Sequence, residues 1–464
     1  MSEVNFKDID LGDRFDAEFF SKQSLEIENI LKRTNATELR HFGKFVASAF
    51  YPSAVELYQY GEMPFIRCVD CVNFPLITSY QENLFEKLPI EFIREQKGIN
   101  TLYKGDIVIT KVGTPCYASM IQDYDEVALS RTVLGMQKIS KINPYYLLIF
   151  LRSKYGFGQL LRHRELTIQY QLTLERTKKI LVYIPEEKFQ NRIEKITREY
   201  FVAQETARNS YLEAETLLLE NLGLQNFQAT NQSVNIKALK DSFLQTGRLD
   251  AEFYQVKYEQ YWNLIKSQDY VFIRDEYLHI TQKPDWKNQA YQYIEIGDVN
   301  ISDGSYQANW VEYQDLPANA KIQVQKGDIL ISTVRPYRGA VTIIGENDQD
   351  LVVSGAFTVL RKKENSIFNN EVLKVLLRSD LYKDWLLQFN VGTSYPVIKD
   401  GDILNLPIPK IPPKIQTQIA NYVRQSNELR EQATQLLAQA KHNVETEIEQ
   451  NALQERERER ETYK

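Results

Sequence analysis

Stepped along in alternating strides of four and three, residues 186–222 line up Phe189, Ile193, Ile196, Tyr200, Ala203, Ala207, Ser210, Ala214, Leu217 and Asn221. Eight of these ten are apolar, and the faces between them are mostly charged or polar. That is the narrow seam of a two-stranded coiled coil rather than a broad core-facing stripe. Pro185 and the acids of the first turn suit a helix start, and Gly223 suits a stop. Adding 226 to each position gives a second seam of Ile415, Ile419, Tyr422, Ser426, Leu429, Ala433, Leu436, Ala440, Asn443 and Glu447, seven of them apolar. Pro412 and Pro413 stand at its start. Two helices that each bury one narrow stripe predict a slender pair. The seam would be carried by Phe189, Ile193, Ile196 and Tyr200 on one helix and by Ile415, Ile419, Tyr422 and Leu429 on the other. The alternative is that each helix lies on its own globular domain.

The repetition extends beyond the helices. The stretch Arg-Phe-Asp-Ala-Glu-Phe-Phe ending at Phe20 matches Arg-Leu-Asp-Ala-Glu-Phe-Tyr ending at Tyr254, and Phe-Ile-Arg-Cys-Val-Asp ending at Asp70 loosely matches Tyr-Ile-Glu-Ile-Gly-Asp ending at Asp298. Lys-Gly-Asp-Ile begins at Lys104 and again at Lys326, and Leu-Arg-Ser ends at Ser153 and again at Ser379. A repeat of this length is a duplicated domain, not a solenoid unit. The expected order is a first domain (1–185), a helix (186–222), a polar linker (223–235), a second domain (236–411), a second helix (412–450) and an alternating-charge tail (451–464) that frays in solvent. Within each half the reading is mixed. A strand follows Lys-Gly-Asp, further strands are expected over 127–136 and 351–360, and Asn143 with Pro144 opens a buried helix. Asn370 opens its single-helix counterpart. The fold class is α+β: two tandem domains and two long helices forming an antiparallel coiled coil.

Composition narrows the class. Hydrophobic residues at 43% with 12% aromatics imply real cores, not disorder. No apolar run is long enough to span a bilayer, so no membrane role is expected. Three cysteines and an N-terminus without a signal-like apolar stretch suit a reducing cytoplasm. The net charge of −6 alone argues against nucleic acid, but its distribution matters more. Nine Lys/Arg against two acids lie between Lys138 and Lys179, whereas 186–222 carries eight acids against five bases.

Catalytic constellations do not emerge. Cys68-Val-Asp-Cys71 lacks a second ligand pair, and on a strand its two thiols would point to opposite faces. Asn143-Pro-Tyr-Tyr146 is explained by helix capping, and the four histidines show no ligand spacing. The loops after the Lys-Gly-Asp-Ile strands carry the chemistry instead. Lys111-Val-Gly-Thr-Pro-Cys-Tyr117 and Thr333-Val-Arg-Pro-Tyr-Arg-Gly339 set cations, hydroxyls and aromatics on turns made by glycine and proline. Arginine can fork onto guanine, and Thr or Tyr can bond phosphate. The candidate DNA contacts there are Lys111, Thr114, Tyr117, Arg335, Tyr337 and Arg338. A second set lies before each long helix: Arg162, His163, Arg164, Gln169 and Gln171, matched by Gln388, Asn390, Thr393, Ser394 and Tyr395. An ordinary charged turn is the bland reading of either set.

This ordered series of motifs, occurring twice, resembles the specificity subunit of a type I restriction–modification system over nearly the whole chain. The resemblance implies two target-recognition domains held apart by antiparallel helices and reading a split, asymmetric double-stranded DNA sequence. It implies docking of two methyltransferase subunits and then restriction/translocase subunits, in a prokaryotic cytoplasm, for defence against foreign DNA. It further implies a non-catalytic chain without cofactors, its partners using S-adenosylmethionine, ATP and Mg. Two other readings are a fused DNA-modifying enzyme, which would need cofactor motifs, and a two-lobed protein-binding adaptor, which the negative charge would suit.

Overall fold

A computed structural model describes residues 17–49, 55–165, 170–225, 227–230, 232, 234–345, 350–391 and 395–462. The chain divides into two compact units, Met1–Thr206 with Leu429–Lys464, and Ala207–Glu428.

The strands of the first unit are β1 (Ala36–Glu38), β2 (Lys44–Ala47), β3 (Met63–Ile66), β4 (Leu76–Ile77), β5 (Lys87–Leu88), β6 (Thr101–Tyr103), β7 (Ile107–Thr110), β8 (Ala118–Ile121), β9 (Glu126–Leu129), β10 (Val133–Gln137) and β11 (Leu181–Tyr183). They form sheets of order β2-β10-β7-β8-β4 and β5-β3-β9-β6, with β1 and β11 paired. The second unit contains β12 (Tyr270–Phe272), β13 (Tyr277–Ile280), β14 (Ala290–Ile294), β15 (Asn309–Glu312), β16 (Ala320–Gln323), β17 (Ile329–Ser332), β18 (Val341–Ile343), β19 (Leu351–Ser354), β20 (Phe357–Lys362) and β21 (Pro407–Pro409). Its sheets run β13-β20-β17-β18 and β15-β14-β19-β16, with β12 paired to β21. The parallel pair β3–β9 recurs as β14–β19 in otherwise mostly antiparallel sheets. One sheet plan is therefore built twice, and the class is mixed α+β.

The repeated motifs prove to be local structural devices. Gly105 and Gly327 take φ of +86° and +84°, which glycine adopts without a Cβ penalty, so Lys-Gly-Asp reverses the chain into β7 and β17. Asp106 then accepts from the backbone N–H of Tyr103 at 2.9 Å and of Lys138 at 3.0 Å. Asp328 accepts from the Gln325 N–H at 2.9 Å and takes a two-pronged bond from Arg361 at 2.8 and 2.7 Å. Asp70 and Asp298 each accept the N–H three residues earlier, at 2.8 Å.

Leu-Arg-Ser marks a break between two helices. Asn143 caps Pro144–Arg152, and Ser153, in an extended conformation, starts Lys154–His163. A Cβ on Gly156 would meet the Phe150 carbonyl at 2.2 Å, so only glycine fits that crossing. In the second unit the helix starts at Asn370 as expected, with Asn369 as its cap, and the expected single helix splits into Asn370–Arg378 and Asp380–Leu386 at Ser379. The expected strands over 127–136 and 351–360 likewise each divide in two around a turn.

The two long helices span Glu187–Asn221 and Pro413–Thr462. The first begins in the first unit and ends in the second, and the second does the reverse. Gly223, at φ +66°, closes the first helix: its N–H bonds the Glu220 carbonyl, and the Leu224 N–H reaches back to Leu219. Leu224 is buried and Phe227 packs on Tyr261, so the expected linker lies partly against its unit. The second helix runs on through the charged tail, which had been expected to fray. Spaced Glu and Arg, as in the Glu455–Arg458 pair, support helix there.

In the first unit Phe189, Ile193, Tyr200 and Ala203 share a core with Ala433, Ala440, Val444 and Ile448. In the second unit Ala214, Leu218 and Leu222 share one with Ile419 and Val423. The Ser426 hydroxyl there donates to the Ala207 carbonyl at 2.6 Å. Ile196, Ile415, Tyr422 and Leu429 are only half-buried, while Thr197, Leu218, Val444 and Ile448 are buried. The buried stripe thus slips from the expected 3.5-residue repeat toward the 3.6 of a straight helix.

Candidate nucleic-acid interface

The loop from β7 to β8 is fixed by backbone. The Lys111 N–H donates to the Thr132 carbonyl and its own carbonyl accepts from Leu172, while Val112 forms a bridge with Gln171. Gly113 at φ +92° and Cys116 at φ +81° turn the chain. The Cys68 sulfur sits 3.3 Å from both the N and the O of Thr114. Thr114 is therefore exposed on a clamped peptide, and Lys111 is half-buried. The Tyr117 ring instead turns toward the domain: it stacks edge-on with Phe157 at 5.3 Å, with Arg152 5.8 Å above it.

The loop from β17 to β18 has the same attachments and a different tip. The Thr333 N–H and hydroxyl both donate to the Ala356 carbonyl, Val334 bridges Val397, and the Ile398 N–H bonds the Thr333 carbonyl at 2.9 Å. Arg335 adopts a left-handed φ of +49°, and its N–H donates to Pro396 at 2.7 Å. Its guanidinium lies 4.6 Å over the ring of Tyr395, which is 60% exposed. Arg338 and Tyr337 are also exposed. Each unit thus brings together two stretches that the sequence singled out separately, the loop and the segment before the long helix.

The second set fares unevenly. Arg162 is an interior cation, its side chain 8% exposed, bonded to the Phe19 carbonyl at 2.8 Å and to Glu28 at 2.6 Å. It cannot meet DNA without breaking that pair. Arg164 pairs with Glu18 and lies 4.0 Å over Tyr170, an aromatic the sequence reading passed over. His163 packs edge-on with Phe19, and burial together with the nearby Arg162 pulls its pKa down to about 4. Gln388 and Asn390 bond backbone. Gln169, Thr393 and Ser394 lie outside the described residues, as does the start of the Arg14 motif.

The arginines of the two Leu-Arg-Ser motifs, which had no role in the sequence reading, hold the loops. Arg152, buried enough to lower its pKa, donates to the Ala118 carbonyl; Arg378 donates to the Gly339 carbonyl at 2.7 Å. Each holds the far end of its loop. Cys68 and Cys71 sit on a helix, Cys68–Asn73, not on a strand. There i and i+3 share a side, yet Cys68 turns to Thr114 while burial drives the Cys71 thiol far above its usual range. Among the described residues no three His, Cys, Asp or Glu gather as a metal site, and no helix is long and apolar enough to cross a membrane.

Residues 262–442 match the family model described as type I restriction modification DNA specificity domain. That match covers about two fifths of the chain and lies in the second half of the repeat. No curated protein matches the chain. Among solved structures, the type I restriction–modification S subunit from M. genitalium is 11% identical, over 90% of this chain and 96% of that one, with a TM-score of 0.42. The HsdS subunit from Thermoanaerobacter tengcongensis is 14% identical, over 76% of this chain and 81% of that one, with a TM-score of 0.27.

Proposed function

We propose that this chain reads a split, asymmetric double-stranded DNA sequence, one half-site per unit. It directs two methyltransferase subunits, and then restriction/translocase subunits, to that sequence. The observation that carries this reading is the pair of loops: the same backbone attachments present Lys111 and Thr114 in one unit and Arg335, Tyr337 and Arg338 in the other. Different donors on equal scaffolds suit two different half-sites. Reading requires no cofactor in this chain; S-adenosylmethionine, ATP and Mg belong to the partners, and the work lies in a prokaryotic cytoplasm.

The two long helices act as an antiparallel coiled-coil spacer. At about 1.5 Å per residue, the 35 residues of the first extend roughly 50 Å, more than one turn of duplex. The half-sites are then separated by unread base pairs. The net charge of −6 suits a chain that binds DNA weakly alone and gains affinity with its methyltransferases. Co-purification with those subunits, followed by methylation sequencing, tests the reading. A bipartite, asymmetric modified site is expected, and removal of 206–212 with 432–438 should shorten the unread gap and keep both half-sites. A target without a gap, or DNA-independent binding of both partners with no sequence preference, contradicts it and favours the adaptor reading.

A further inference from the structure

The repeated Arg-x-Asp-Ala-Glu-Phe segment belongs to neither β-sheet, yet it is wired to the candidate DNA loop. In the second unit the Arg248 guanidinium bonds Asp250 Oδ1 at 2.8 Å and the Asn390 carbonyl at 2.7 Å, and lies 4.6 Å over the Phe253 ring. Gln388 donates to the Phe253 carbonyl at 3.1 Å. The Asn390 side chain then accepts the Val397 N–H at 3.0 Å. Val397 bridges Val334, and the neighbouring Pro396 carbonyl holds the Arg335 N–H at 2.7 Å. A few bonds thus connect the Arg248 guanidinium with the peptide of Arg335. That peptide is left-handed, a conformation a residue with a Cβ keeps only where its surroundings impose it.

The first unit ties the described part of its copy of this segment toward its loop through other residues. Arg162, 226 positions before Gln388, donates to the Phe19 carbonyl, and Arg164 pairs with Glu18. The Glu165 N–H bonds the Gln171 carbonyl at 2.6 Å, and Gln171 bridges Val112 in the loop. The contact with the Phe19 or Phe253 carbonyl and the bridge to the loop recur in both units from different side chains, which marks a role beyond incidental packing.

We propose that residues 248–254 form a latch, with Arg248 as the positioning residue, that holds Arg335 in place and so sets base preference at the second half-site. This rests on the reading that the loop 333–339 contacts DNA. The test uses the full complex with its methyltransferases and maps modified sites for Arg248→Ala, Asn390→Ala and the double variant Arg335→Ala/Arg338→Ala. Asn390→Ala cuts the next link and leaves the latch segment intact, so it serves if Arg248→Ala does not fold. Either single variant should relax discrimination at the second half-site by about tenfold, within the range of one lost base contact. First half-site preference should stay unchanged, and neither variant should add to the double variant. If the double variant relaxes the second half-site but Arg248→Ala and Asn390→Ala do not, the latch is overturned and the loop reading stands. Equal weakening of both half-sites also overturns the latch. A double variant with unchanged sites removes the loop reading itself.

Discussion

The two loops that follow the Lys-Gly-Asp-Ile strands share an anchor and differ at the tip. In both, a left-handed glycine and a buried aspartate lead into the strand, an arginine of the following helix holds the loop's far end, and a bridge ties the loop to the segment before the long helix. At the tips, one unit exposes Thr114 and half-exposes Lys111. The other exposes Tyr337 and Arg338 and stacks Arg335 on Tyr395. The lesson is that the residues fixing each loop's position are not the residues exposed at its tip. Scaffold changes should therefore cost stability, and tip changes should cost preference.

The largest effect is expected at the scaffold aspartates, which differ in partner. Asp328 is fully buried beneath Arg361, so Asp328→Ala leaves a cation and a backbone N–H unmatched and should destabilise its unit by about 3–5 kcal/mol. Asp106 accepts only backbone N–H groups, and Asp106→Ala should cost about 1–3 kcal/mol. Urea unfolding followed separately for each unit compares them. Equal losses would show that the two turns are anchored alike after all.

A second contrast is pH. His163 in the first unit has a folded-state pKa near 4, held down by burial and by Arg162, and its Nδ1 is buried without a hydrogen-bond partner. The unfolded chain takes up that proton at about pH 6.5, so the native state binds fewer protons between 6.5 and 4 and loses stability as the pH falls. Glu28, held low by Lys32 and Arg162 against the opposing effect of burial, is stabilising when ionised, so its loss on acidification acts in the same direction. The histidine should remove about 2 kcal/mol from the first unit between pH 7 and pH 5. Stability curves at both pH values check this, and His163→Gln should flatten the slope. A slope unchanged by that substitution would assign the acid sensitivity elsewhere.

Much of this was legible in the chain. The 226-residue repeat and the two helices follow from periodicity, and the Lys-Gly-Asp turn follows from residue type. What the sequence hid was direction. Arg162 reads as a surface cation, but Glu28 and the Phe19 carbonyl draw it inward across long sequence separations. Tyr117 reads as a loop-tip donor, yet its ring finds Phe157. The seam slips because an ideal helix drifts by about 20° per heptad against a strict 3.5-residue pattern. No local spacing pairs Arg335 with Tyr395, because that contact depends on a bridge between Val334 and Val397.

The most direct measurement is methylation-site mapping of two reciprocal variants, Lys111→Ala/Thr114→Ala and Arg335→Ala/Arg338→Ala, each assembled with the methyltransferase subunits. Loss of an arginine that reads a base should cost about 1–3 kcal/mol of discrimination at one position of the second half-site only. The Lys111/Thr114 variant should change the first half-site by less, because Lys111 is half-buried and Thr114 offers a single hydroxyl. Separate changes at separate half-sites are the expected result. Modified sites that change together in both halves, or not at all in either variant, contradict the two-loop account.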